Sequence, residues 1–311
     1  MLEIIRYSSE NKQLWDSLIK ESRNGTFLFY RDYMDYHSNR FNDCSYLIRR
    51  KGKISAVIPG NIENETYYSH QGLTYGGLVL SKKISTTEIM DVFDMLNVTL
   101  KKEGIKYVYY KPVPLIYHKL PAQEDIYTLF RIGAEKIACN ISSTIYQNNK
   151  IKFIESRKSG IRKSIREGIE ISESIDYDGF WKILEANLSG KFNKKPVHNV
   201  DEIKLLNNRF PDNIKLHVAT RSGNIIAGTV LYLMENIVHV QYISASEEGR
   251  EKGALDHLFD VLINSIYSHI PIFDFGQSTE DMGNYLNENL IFQKEGFGGR
   301  GIVYDIYKYS I

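Results

Sequence analysis

The chain has 311 residues and a formal net charge of +1, with 42% hydrophobic and 25% charged residues. These are the proportions of a globular protein long enough for two domains. Near-neutral charge argues against a broad, nonspecific grip on nucleic acid, and no DNA partner is expected.

Cys44 and Cys139 make neither a disulfide framework nor a metal cluster, which fits a reducing compartment and no metal cofactor. "MLEIIRYSSE" lacks the charged-then-apolar pattern of a secretory signal. The longest apolar run, "IIAGTVLYLM" at 225–234, is too short for a bilayer and reads as a buried strand. A cytoplasmic protein without a transmembrane segment is expected.

In chain order, "QLWDSLIKES" reads as an amphipathic helix, and "SYLIRRKGKISAVIPGNI" as two strands about a Lys-Gly-Lys turn. "TYYSHQGLTYGGLVL" reads as an alternating strand running into a polar, glycine-containing loop. "STTEIMDVFDMLNVTLKKEG" is a helix with Ser85 and Glu88 spaced as a capping box, an apolar face of Ile89, Phe93, Leu96 and Leu100, and Gly104 closing it. The strand "IKYVYYKPVP" follows.

Near residue 150 lies "IKFIESRKSGIRKSIREGIEISES", the one clear concentration of positive charge. It reads as a basic helix whose apolar edge is Ile161, Ile165 and Ile169, then Gly168 and a short strand. Next come the helix "GFWKILEANL", the hairpin "KLHVATRSGNIIAGTVLYLM" about Ser222-Gly223-Asn224, and the strand and loop "NIVHVQYISASEEG". The helix "GALDHLFDVLINSIYSHI", with Leu255, Leu258, Leu262 and Ile266 on one face, leads to the strand "IPIFDFGQST".

The second series repeats the first. The two tryptophans, Trp15 and Trp181, are 166 positions apart, and "NRF" recurs at 169. The turn glycines Gly52 and Gly223 differ by 171, and the strand residues Tyr107 and Ile272 by 165. Four ordered markers at nearly one offset indicate a tandem duplication, with domains expected at 1–150 and 151–311.

Three antiparallel strands running through a loop into a helix and then a parallel strand resemble the GNAT acyltransferase fold. Two copies joined by "RKSIREG", with the closing segment "FDFGQSTEDMGNYLNENLIFQKEGFGG", resemble the FemAB type of that superfamily. The resemblance implies an α/β (α+β) protein of two tandem GNAT-like domains, each a mixed, mostly antiparallel sheet flanked by helices. It implies transfer of an acyl or aminoacyl group from acyl-CoA or another activated donor to an amine. That acceptor would sit on a cell-envelope or sugar-nucleotide precursor. Two other readings stay open: a non-catalytic module for a phosphorylated ligand, and an aminoacyl-tRNA-dependent transferase. The second half has no long heptad stretch for the helical hairpin that some FemAB enzymes insert for tRNA. The sequence does not fix the oligomeric state.

The loop "SEEGREKGALDHL" is a glycine-containing turn at a helix N-terminus, a place that offers backbone N–H groups to an anion. Ser244, Gly249, Arg250, Lys252, Gly253 and Ala254 are the candidate donor-binding residues. The family's pyrophosphate loop survives only in part, because Leu255 stands at its last small position. Arg162, Lys163 and Arg166 on the basic helix, with His70, Gln71 and Tyr75, are candidate substrate-binding residues. Acyl transfer needs an oxyanion held by donors, a base for the amine and an acid for the leaving group. Asp274, Glu280, Tyr242 and Tyr304 are the candidates for those proton transfers.

Overall fold

The computed structural model describes residues 2–192 and 195–311. The first half contains β1 (Leu2–Arg6), α1 (Lys12–Glu21), α2 (Arg31–Met34), β2 (Asn42–Asp43), β3 (Tyr46–Arg50), β4 (Lys53–Ile58), β5 (Asn61–Glu63), β6 (Thr66–Tyr68) and β7 (Val79–Leu80). It continues with α3 (Thr86–Lys102), β8 (Tyr107–Tyr110), α4 (Glu124–Arg131) and β9 (Glu135–Tyr146). The second half begins with α5 (Glu155–Arg166), β10 (Glu170–Ser174), α6 (Tyr177–Phe192), α7 (Val200–Arg209), β11 (Ile214–Arg221), β12 (Asn224–Leu233) and β13 (Ile237–Ala245). It ends with α8 (Glu247–Glu251), α9 (Ala254–Val261), β14 (Ile272–Gln277), β15 (Thr279–Glu280), β16 (Tyr285–Leu286), α10 (Glu288–Gly296) and β17 (Arg300–Ser310). Among the described residues no helix is long and apolar enough to cross a membrane.

The chain divides into two compact units. One is Met1–Asn140 with Glu280–Tyr285 and Val303–Ile311; the other is Ile141–Thr279 with Leu286–Ile302. The strand order of the second unit is β10-β11-β12-β13-β14-β9, antiparallel except for the parallel pair β13–β14. The first unit has the orders β1-β3-β4-β7 and β2-β5-β6-β8-β17, antiparallel except for the parallel pair β6–β8. Each unit's last strand therefore comes from a distant stretch of chain. Ser142–Tyr146 of β9 line up on β14, and Tyr307–Ser310 of β17 on β8.

The repeated markers occupy equivalent places. Lys51 and Gly52 (φ 49° and 78°) turn the β3–β4 hairpin; Ser222 and Gly223 (φ 50° and 80°) turn β11–β12. Two consecutive positive φ angles give the turn whose twist matches the flanking strands. Both hairpins slip register at one site, between Ile48 and Arg49 and between Ala219 and Thr220, at the same spacing as the turn glycines. Trp15 and Trp181 are both buried. The capping box of Ser85 and Glu88 is formed, Gly104 sits at φ 82°, and Ile89, Phe93, Leu96 and Leu100 fill the core.

Three expectations are corrected. Of the stretch 66–80, only β6 and β7 are strand; His70, at φ 68°, turns the chain away. Ile165 is 57% exposed. The buried residue of α5 is Ser164, one turn beyond Gly160, and Ile161 and Ile165 are each rotated about 100° off that face. Ile266 is exposed because Leu262–Ile266 form a wide π turn, which adds a residue to the turn and shifts the helical register.

The packing of α5 on α9 depends on two glycines. A Cβ on Gly160 would lie 1.9 Å from Asp256 Oδ2, and one on Gly253, at φ 71°, would lie 2.5 Å from the Gly160 carbonyl oxygen. Gly253→Ala is expected to cost about 2–3 kcal/mol, combining left-handed backbone strain with overpacking. Gly168→Ala, at φ 68° with open space around it, should cost only about 1 kcal/mol, the strain alone. Denaturant midpoints check this, and equal losses would contradict the close approach.

Candidate functional site

In the second unit the parallel strands part soon after they meet. The β13–β14 register covers Ile237/Ile272, Val238/Phe273 and His239/Asp274. Gly276 then takes φ 73°, and the register of β14 with β9 slips between Asp274 and Gln277. Lys294 reaches the point of parting from α10. Its Nζ donates to the carbonyl oxygens of Gly276 (2.8 Å) and Gln277 (2.7 Å). Lys294 is 5% exposed, and burial brings its pKa down to about 8 against the opposing pull of Asp274.

Asp274 lies at the same apex with no exposed surface. Its Oδ1 accepts from Ser142 Oγ (2.5 Å) and Thr144 Oγ1 (3.0 Å), and its Oδ2 lies 2.7 Å from His239 Nδ1. A carboxylate on Nδ1 fixes the neutral ring's proton there and leaves Nε2 with the lone pair. An oriented imidazole and a lysine of lowered pKa thus meet where two strands diverge, an arrangement able to move protons.

Tyr242 and Ser244 lie further along β13. Tyr242 Oη is 2.6 Å from His198 Nδ1, and burial pushes its pKa up to about 12. Ser244 Oγ accepts from Asn187 Nδ2 (2.7 Å). Arg250 turns inward, donating to the Ala245 carbonyl (2.7 Å) and Asn187 Oδ1 (3.1 Å), and Lys252 pairs with Glu167 at 3.0 Å. The amides of Gly249, Arg250, Lys252 and Gly253 donate to Ser246 Oγ and to the carbonyls of Ser246, Glu248 and Arg250. Gly249 fits because a Cβ would lie 2.2 Å from the Ile226 carbonyl. Ala254 is buried.

The other candidates lie elsewhere. Arg162 pairs with Glu155 at 2.5 Å, while Lys163 and Arg166 are exposed on α5. Glu280 and Tyr304 belong to the first unit, where Tyr304 Oη is 2.8 Å from Tyr117 Oη. His70 and Tyr75 are buried in that unit. His70 stacks on His37 at 5.3 Å, and Tyr75 Oη donates to Thr26 Oγ1 (3.1 Å). Gln71 is exposed and bonds to Asn61 and Glu63.

Ser142, Thr144, His239 and Lys294 were not singled out from the sequence. Lys294, flanked by Gln293 and Glu295 in "IFQKEGFGG", reads as an ordinary exposed cation. The other three had no local signal, because the pairing of β9 and of β13 with β14 brings Ser142 and Thr144 to Asp274 from 132 and 130 positions away and His239 from 35. Among the described residues no group of three or more His, Cys, Asp or Glu is placed to hold a metal ion.

The first unit has the same parallel pair and closes it. β6 and β8 align from Thr66/Tyr107 to Tyr68/Tyr109. Beyond that, Ser69 N donates to the Tyr109 carbonyl (2.9 Å), Lys111 N to Ser69 Oγ (2.8 Å), and Gly76 N to the Lys111 carbonyl (2.8 Å). The unit's own chain bridges the place where the second unit opens.

Three antiparallel strands, a helix and a parallel strand, present in both units and parted from its neighbour in the second, define a FemAB-like, tandem GNAT-type fold. Among solved structures, FemX superimposes with a TM-score of 0.70 at 12% identity, over 99% of this chain and 97% of FemX. L-PGS from Bacillus licheniformis gives 0.63 at 12% identity, over 97% and 92%. A tandem GNAT protein from the clavulanic acid biosynthesis pathway gives 0.56 at 10%, over 100% and 98%. No protein-family profile matches the chain, and neither does any curated protein.

Lys294 carries a pH signature. Its folded pKa is depressed, so the unfolded chain binds more protons between about pH 8 and the ordinary lysine range, and stability rises with pH there. The penalty is complete below pH 8 and relieved as pH climbs. Lys294→Met removes this contribution, so the wild-type-minus-variant stability difference from urea titrations should rise between pH 7 and 10.5. A difference that stays flat would contradict a buried, desolvated ammonium.

Proposed function

We propose that the chain is a transferase, descended by duplication from one module spanning about 150 residues, that moves an acyl or aminoacyl group to an amine in the second unit. The observation that carries this reading is the parting of β13 and β14 with Lys294, His239 and Asp274 at its apex. The shared fold with FemX, L-PGS and a tandem GNAT protein supports an activated acyl donor.

In this reading the donor carbonyl lies near the Lys294 ammonium, which steadies the developing oxyanion and supplies a proton to the leaving group. His239 Nε2 takes the proton lost by the attacking amine. Asp274 holds the ring and stabilises the imidazolium that forms, with Ser142 and Thr144 keeping the carboxylate in place. Tyr242 and Ser244 line the path beyond. Acyl-CoA is one donor class and the amine acceptor is a small molecule of the cytoplasm, such as a cell-envelope or sugar-nucleotide precursor. A second donor class, an aminoacyl ester on tRNA, is favoured by one observation. Arg250 and Lys252, the cations of the expected pyrophosphate loop, already serve the chain's own Ala245 and Glu167.

A panel of radiolabelled acyl-CoA and aminoacyl donors with amine acceptors tests the reading. Turnover is expected with at least one pair. Asp274→Asn should lower it about 100-fold or more through loss of the oriented base, while near-ultraviolet circular dichroism stays native. His239→Gln should do the same. No turnover across the panel, or full turnover in His239→Gln, would contradict the proposal.

A further inference from the structure

Two adjoining cavities in the second unit share Lys150 and Ile151 as a common wall. The inner one, about 330 Å³, is lined also by Thr144, Tyr146, Asn149, Gly298 and Arg300. The outer one, about 380 Å³, is lined by Lys152, Phe153, Lys158, Ile161 and Asp260. Four cationic side chains thus face one carboxylate in a chain whose net charge is only +1. The cations are not neutralised by close acidic partners. Lys150 Nζ donates to an amide, Asn264 Oδ1 (2.7 Å), and Arg300 donates to the Gly299 carbonyl (2.6 Å). Lys158 is 4.0 Å from Glu155, whose other oxygen is held by Arg162 at 2.5 Å. Asp260 is itself engaged by Asn264 Nδ2 (2.8 Å).

One residue is common to the groove and the candidate site. Thr144, in the wall of the inner cavity, donates to Asp274 Oδ1. At the same end Tyr146 keeps 47% of its surface exposed, an aromatic ring open to stacking. We propose that this groove, rather than the turn at α8, seats the phosphates of a ribonucleotide-borne acyl donor, with a base against Tyr146 and the phosphates along Lys150, Lys158 and Arg300. The proposal rests on the transferase reading and deepens it by naming the chemistry of the donor's carrier. Coenzyme A and the adenosine end of an RNA share that chemistry: a ribonucleotide with phosphates beside a carried acyl group. Lysines and an arginine supply the charge, and an open ring supplies sequence-tolerant contact.

The test measures equilibrium binding of coenzyme A and of a short RNA oligonucleotide ending in adenosine, each at 50 and 200 mM salt. Wild type is compared with Lys150→Glu/Lys158→Glu and with the milder Lys150→Gln/Lys158→Gln. Lys82→Glu/Lys83→Glu, on an exposed turn of the first unit, controls for net charge. The glutamate pair should weaken binding at least tenfold, the glutamine pair less, and the salt dependence should flatten by about two counterions. The control should bind as wild type does. Loss confined to coenzyme A identifies a thioester carrier, and loss confined to RNA identifies a ribonucleic ester. Wild-type affinity in both groove variants, an equal loss in the control, or no wild-type binding of either probe overturns the proposal. Turnover separates the two readings. Undiminished transfer in the glutamate pair overturns the groove and leaves the transferase, whereas lysine-dependent binding without transfer from any donor does the reverse.

Discussion

A lysine ammonium seated on two strand carbonyls fixes where the parallel pair of the second unit stops. Buried lysines are costly, and Lys294 is tolerated because the carbonyls of Gly276 and Gln277 replace water around its Nζ. Those carbonyls are available because Gly276, at φ 73°, takes the strand out of its ladder there, in a backbone region that residues with a side chain seldom enter. The Asp274 charge opposes the loss of the lysine's proton, and the same carboxylate orients His239. One bend in β14 therefore sets the strand opening, the lysine and the imidazole together.

The contrast between the two units gives this bend its meaning. Both begin with a three-pair parallel ladder. In the first unit, Ser69 and Gly76 return to bond Tyr109 and Lys111, and Gly76 is required because a Cβ would lie 1.8 Å from the Ser69 carbonyl. Tyr110 then fills the space beneath, donating to Asp125 and accepting from Leu78 N. In the second unit a single lysine terminus occupies the corresponding place. The copies keep their hairpins, bulges and buried tryptophans, while the first unit's strands fall into two orders and the second's into one, and the second parts its parallel pair.

Much of the fold was legible in the sequence because its signals are local. The glycines of both hairpin turns, the capping box and apolar face of α3 and the basic α5 with Gly168 after it all act within a few residues. What was not legible depends on long-range pairing. The resemblance to FemAB-type proteins anticipated the architecture, but no local pattern announces that β9 lies on β14 or that the end of β17 lies on β8. The site suffers most from this. Asp274 was picked out as a strand residue, yet its partners Ser142 and Thr144 come from β9 and His239 from β13. The turn at α8 was read as a cradle of backbone amides. Its spacing also suits a short helix whose amides bond within it, and periodicity does not separate the two.

The central claim is that the opening between β13 and β14 receives the reactive end of a donor. It is tested most directly by a crystal structure with a non-hydrolysable acyl donor analogue soaked in. The account predicts density for the acyl carbonyl at the apex, within hydrogen-bonding distance of Lys294 Nζ. Density for the analogue at another place, with Lys294 still seated on Gly276 and Gln277 and the apex empty, would contradict it.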